Sequence, residues 1–166
     1  MKLSCVCILS FVGILAVGAF AADDHSTRVP ALEGNVAFYL PDGWELVEGA
    51  GKTLLGPKGA AFVDIAYIEA SPGNAATDVD DAFLKMFVEK NLKVEESDKL
   101  SGGRFIAHAV SRLEADRESH QWNVASRKDA HQLAVIIAGA ETSGAQQKLL
   151  PIVDQVLRSI EFTPHK

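Results

Sequence analysis

The strongest constraint on the fold is a series of short apolar runs of period two between residues 36 and 70, each cut by a turn signal. Val36 to Leu40 stops at Pro41-Asp42-Gly43, where proline presets φ and glycine accepts a positive one. Trp44 to Glu48 and Lys52 to Leu55 follow, and Gly56-Pro57-Lys58-Gly59 turns into Ala60 to Ile68. In that run Val63, Ile65 and Tyr67 alternate with Phe62, Asp64, Ala66 and Ile68, so both faces are largely apolar and the strand is predicted to be central. Strands joined by such tight turns predict an antiparallel meander.

The period then changes. Val79, Phe83, Met86 and Phe87 recur at helical steps, with Asp78, Asp80 and Asp81 near the positive end, so a helix is predicted from about 78 to 91. Lys93 to Lys99 reads as a polar edge strand, and Gly102-Gly103 turns into Arg104 to Leu113. A turn at Ala115-Asp116-Arg117-Glu118 leads into His120 to Ser126, and Lys128-Asp129-Ala130 leads into His131 to Ala138. The last strand is apolar on both faces over Leu133 to Ala138, which predicts a sheet centre.

The closing helix is predicted to start at Ser143, capped by its hydroxyl, and to bend or restart at Pro151. Leu149, Ile152, Val153, Val156, Leu157 and Ile160 form one stripe, expected to pack on the strand carrying Val135 and Ile137. Arg158 lies off that stripe and is expected to be dispensable. The fold class is therefore α+β, an antiparallel sheet with two helices over residues 36–163.

The N-terminus addresses the chain for export. Lys2, an uncharged run from Leu3 to Phe20 and the small-x-small site Ala19-Phe20-Ala21 make a secretory signal peptide over residues 1–21, cleaved before Ala22. Gly13 and Gly18 weaken the run as a permanent anchor, and Cys5 stands ahead of most of the apolar stretch rather than after it, against lipidation. Residues 22–35, with Pro30 and Gly34 and no periodicity, are expected to be a flexible leader. Cleavage removes both cysteines, Cys5 and Cys7, so no disulfide or thiolate site is expected in the mature domain. Loss of Lys2 takes the formal net charge from −6 to −7, which disfavours nucleic acid and anionic lipid as partners.

Two stretches resemble a known family. Phe38-Tyr39-Leu40-Pro41-Asp42-Gly43-Trp44 is similar to the opening of the PsbP/Mog1-like domains and their bacterial DcrB-type relatives. Val156-Leu157-Arg158-Ser159-Ile160-Glu161-Phe162 is similar to the end of their closing helix, and Gly103-Arg104-Phe105 opens the hairpins between. The resemblance spans about residues 33–163 and implies a compact α-β-α sandwich that serves as an accessory or binding module, usually without catalysis. Its members bind very different partners, so the fold carries no specific function across.

The chemical motifs do not close. Gly51-Lys52-Thr53 has the end of a phosphate-binding loop, but Leu46 stands where the first glycine is needed and Leu54-Leu55-Gly56-Pro57 cannot start the required helix. The three aspartates at 78, 80 and 81 lack the distal glutamate of a calcium loop. With Glu114 facing Ser119, His108 falls opposite about Ala125, His120 opposite about Leu113 and His131 opposite Arg127, which separates the three imidazoles. No Gly-x-Ser-x-Gly elbow occurs.

The expectation is an exported, non-enzymatic accessory or protein-binding module of the cell envelope, with an unknown protein or envelope partner, no cofactor, no metal and no stable membrane insertion after cleavage. The alternative is a small extracytoplasmic hydrolase or ligand-processing enzyme whose site assembles in space. Trp44 and Trp122 are the candidate partner-binding residues, because interface anchors are rich in tryptophan, although for Trp44, directly after a turn, the core is the favoured place.

Overall fold

The computed structural model describes residues 26–70, 93–114, 116–129 and 132–163. Among the described residues, ten strands fall into two sheets. The small sheet holds β1 (Thr27–Ala31), β2 (Val36–Leu40) and β10 (Glu161–Phe162), in the order β1-β2-β10. The large sheet holds β3 (Trp44–Gly49), β4 (Lys52–Pro57), β5 (Val63–Ala70), β6 (Val94–Leu100), β7 (Arg104–Glu114), β8 (Arg117–Arg127) and β9 (Leu133–Ser143). Its order is β3-β4-β5-β9-β8-β7-β6, every pair antiparallel. The double-apolar strand β9 is central and the polar strand β6 is an edge, as their patterns predict.

Local chemistry accounts for the turns. Gly49 pairs with Lys52 across Ala50 (φ 51°) and Gly51 (φ 76°), so the glycine-rich loop is a two-residue hairpin whose positive φ values match the strand twist. Lys52 therefore starts a strand rather than the helix a phosphate loop would need. At Gly56 the backbone of the following loop comes so close that a Cβ would lie 2.5 Å from the Ala61 Cα, which only glycine permits.

One face of the large sheet is covered by the small sheet and by helix α1 (Leu150–Arg158). Val36, Phe38 and Leu40 from the small sheet and Val153, Val156, Leu157 and Ile160 from the C-terminal segment pack with Ile106, Val124, Ile136 and Ala138. The opposite face carries a second cluster around Phe105, Ala107, Ala125, Leu133 and Val135. The helix predicted for 78–91 lies outside the described residues.

Several expectations change. Thr27–Ala31, inside the expected leader, is β1, paired residue for residue with β2. Pro30 reads as a breaker but sits on an edge strand, where its missing amide costs no ladder bond. The C-terminal helix does not start from a capped Ser143, which makes no side-chain cap bond. A 3-10 turn, Gly144–Leu149, comes first and α1 begins at Leu150, with Pro151 in its first turn where no amide is needed. The stripe faces Ile136 and Ala138, not Val135 and Ile137, which belong to the other face. An apolar strand of period two offers the helix either side, and the pattern of β9 alone cannot choose.

Arg158 is not dispensable. It meets Asp154 (2.6 Å) on its own helix and Asp98 (2.9 Å) and Glu96 (2.8 Å) on β6, so one guanidinium ties the edge strand to the helix. Leu157, fully buried, should cost about 2–5 kcal/mol when cut to alanine. Arg158→Ala should cost about 1 kcal/mol, lessened by salt because the carboxylates are exposed. Urea melts at low and high ionic strength check both, and an Arg158→Ala loss independent of salt would contradict the ion-pair account.

Candidate functional site

β7 and β8 build a polar seam into the covered face. The chain reverses between Glu114 and Arg117, with a register irregularity between Arg112 and Glu114, so the turn takes two residues rather than four. His108 then lies opposite Trp122 and His120 opposite Val110. Relative to the expected pairing this is a shift by an odd number of residues, and an odd shift moves alternate side chains to the other face. His108 and His120, predicted apart, come together, with His108 Nε2 3.1 Å from His120 Nδ1. His131 lies outside the described residues.

Trp122 completes the cluster. Its indole stacks on His108 with ring centroids 4.5 Å apart and planes 4° from parallel, and on His120 at 5.6 Å and 18°. Ala138 and Ala140, opposite Trp122 and His120 on β9, leave room for the large rings. Trp122 is 1% exposed, which corrects its role as a partner-binding anchor: it is core.

The seam is under-satisfied. His120 Nε2, Trp122 Nε1 and Thr142 Oγ1 are buried without a hydrogen-bond partner among the described residues. All three side chains stand on the α1 side of β8 and β9, Thr142 directly across from Glu118. Native proteins rarely leave such atoms unpaired, so three in one place mark a special site. The Glu118 carboxylate lies 3.5 Å from His120 Nε2, close enough to attract it but too long for a good bond, and accepts from Gln147 Nε2 at 3.4 Å.

Hydrogen-bond economy selects a tautomer. If His108 donates from Nε2, His120 accepts at Nδ1 and turns its own Nε2 hydrogen toward Glu118. The reverse assignment would set a bare, buried nitrogen against a carboxylate. Burial and the neighbouring His120 push the His108 pKa down to about 4. Burial also lowers that of His120, with Glu118 opposing. Both rings are thus neutral near pH 7. Beside the seam a cavity of about 350 Å³ opens between Arg112, Asp116, Glu118, Gly144 and Gln147. No group of three or more metal-ligating side chains forms among the described residues.

Trp44 occupies a different place. It is half-buried at the start of β3 and lines a groove of about 330 Å³ with Val29, Leu40, Pro41, Leu46 and Lys58. There β1, an edge of the small sheet, and β3, an edge of the large one, stand side by side. Trp44 was legible in the sequence. The histidine seam was not: a two-residue turn alone would set His108 opposite Asn123, and only the irregularity between Arg112 and Glu114, which no sequence signal marks, brings it opposite Trp122.

No family model and no curated protein matches the chain. Among solved structures it resembles the crystal structure of LpqN, involved in cell envelope biogenesis of Mycobacterium tuberculosis, with TM-score 0.51 and 17% identity over 86% of this chain and 94% of that one. The solution structure of cyanobacterial PsbP (CyanoP) from Synechocystis sp. PCC 6803 is also similar, at TM-score 0.47 and 15% identity over 89% and 99%. The chain shares its overall fold with LpqN. At these identities the likeness concerns the fold alone.

The seam gives a direct test. Thr142→Val keeps the shape and removes an unpaired hydroxyl, so stability should be unchanged or should rise by up to about 1 kcal/mol. Guanidinium melts measure it, and a loss above about 1 kcal/mol would show that the hydroxyl has a partner.

Proposed function

We propose that the protein is an exported accessory module of the cell envelope that binds a protein partner and performs no chemistry of its own. The observation that carries this reading is the Trp44 groove. Two sheet edges meet there beside a half-buried tryptophan, an arrangement suited to an extended segment of a partner that adds a strand and seats a side chain against the indole. Asp42, Glu45 and Lys58 at the rim offer charges of both signs for orientation. The signal-peptide pattern of residues 1–21 supports export. The fold shared with LpqN supports work at the envelope.

A second reading, a small hydrolase or ligand-processing enzyme, draws on one observation: two neutral histidines and Glu118 lie beside a cavity. His120, 4% exposed, offers a substrate little access, so binding at Trp44 is the better supported reading.

Export predicts a mature chain that begins at Ala22, which intact mass of the secreted or periplasmic fraction checks. A chain retaining Leu3, or one held in the membrane after a salt wash, would overturn it. Partner binding predicts that a photo-crosslinking residue at position 44 gives one discrete adduct in envelope preparations, absent when the same residue replaces the distant, exposed Leu113. Equal labelling from both positions would remove the groove from consideration.

A further inference from the structure

We infer that the His108–His120 contact is an acid-sensitive latch that keeps the β7–β8 turn and the 3-10 turn Gly144–Leu149 seated on the core. The two rings touch across neighbouring strands, on a sheet face shared with Ile106, Val124 and Ile136 and covered by Val156 and Leu157 of α1. A neutral pair needs one proton in the contact and has one. A first added proton can be accommodated, because His108 can move its own to Nδ1 and accept from a charged His120. A second cannot. It would set two hydrogens and two positive charges against each other at 3.1 Å, where little water can screen them.

The charges around the pair decide how it would open. On β8, Glu118 is the counter-ion for His120, at 3.5 Å and nearer to solvent. On β6, Glu95 is paired with Lys93 and Glu96 with Arg158, and on α1 Asp154 is committed to Arg158. Arg158 opposes added positive charge on His108, and Arg112 on β7 stands beside Glu118 in register. Most nearby carboxylates already have partners, so a doubly charged pair relaxes by moving His120 toward Glu118 and the cavity. Glu118 also accepts from Gln147, so that movement disturbs the 3-10 turn. Three orphaned polar atoms lie in the same place, so the closed state has few hydrogen bonds to lose there.

The sign follows from linkage. Both histidines are harder to protonate in the folded chain than in the unfolded one, so the folded state binds fewer protons and acid weakens it. The contribution is intact above about pH 6.5, the ordinary histidine value, and is lost as pH falls toward about 4.

Hydrogen exchange followed by NMR on the purified protein, corrected for the intrinsic pH effect, tests the latch. Amides near His108, His120 and Gly144–Leu149 should lose protection about tenfold or more between about pH 7 and pH 4, while those of β3–β5 hold. In the same titration, imidazole nitrogen shifts should show His120 with its hydrogen on Nε2 at neutral pH. His120→Phe should abolish the local loss. If that variant does not fold, Glu118→Gln decides, because removing the counter-ion should lower the pH of opening. Uniform loss across the sheet, opening that persists in His120→Phe, or no shift in Glu118→Gln would overturn the proposal. Stoichiometric zinc or copper on the two imidazoles would do so as well, since the pair would then be a metal site.

Discussion

β7, β8 and β9 are eleven residues each and pair along nearly their whole lengths, so one register decides which side chains face α1 and which face away. That register depends on the short reversal between Glu114 and Arg117 and the irregularity beside Arg112. Everything on the covered face follows from it: Ile106, Val124 and Ile136 form an apolar row, and Trp122, His108 and His120 form a polar one beside it. A slip by one residue would send Phe105, Ala107 and Ala125 under the helix instead.

The C-terminal segment closes the structure by polar contacts as well as burial. Arg104, at the start of β7, donates to the carbonyls of Arg158 and Ile160, which would otherwise end a helix without partners. Glu161 on β10 accepts from Arg28 (3.1 Å) on β1 and Tyr39 (2.8 Å) on β2. Its acidity is raised by those two bonds, the tyrosine's first. These exposed bonds are individually weak, yet they join the first and last strands of the small sheet, which has only three members and little core of its own.

The two candidate sites differ in character. The Trp44 groove lies open at the meeting of two sheet edges, and its turn, Pro41-Asp42-Gly43, is closed by the Trp44 amide donating to the Pro41 carbonyl at 3.1 Å. The histidine seam is buried and incompletely bonded, and such a place is costly to keep unless it does something an apolar core cannot.

Composition and period alone determined the α+β class, the turns at residues 41–43 and 50–51, the central place of β9 and the edge place of β6, because these depend on local φ preferences and on the polarity of each strand. Trp44 was visible for the same reason, as a large aromatic directly after a turn. The leader strand β1 escaped notice because Pro30 hides an edge strand. The side of β9 that takes the helix, the ties made by Arg158 and the meeting of His108 with His120 belonged to the tertiary structure. Each depends on how separate strands align, and an odd shift in register, here from the irregularity between Arg112 and Glu114, exchanges the two faces of a sheet without changing the pattern of any single strand.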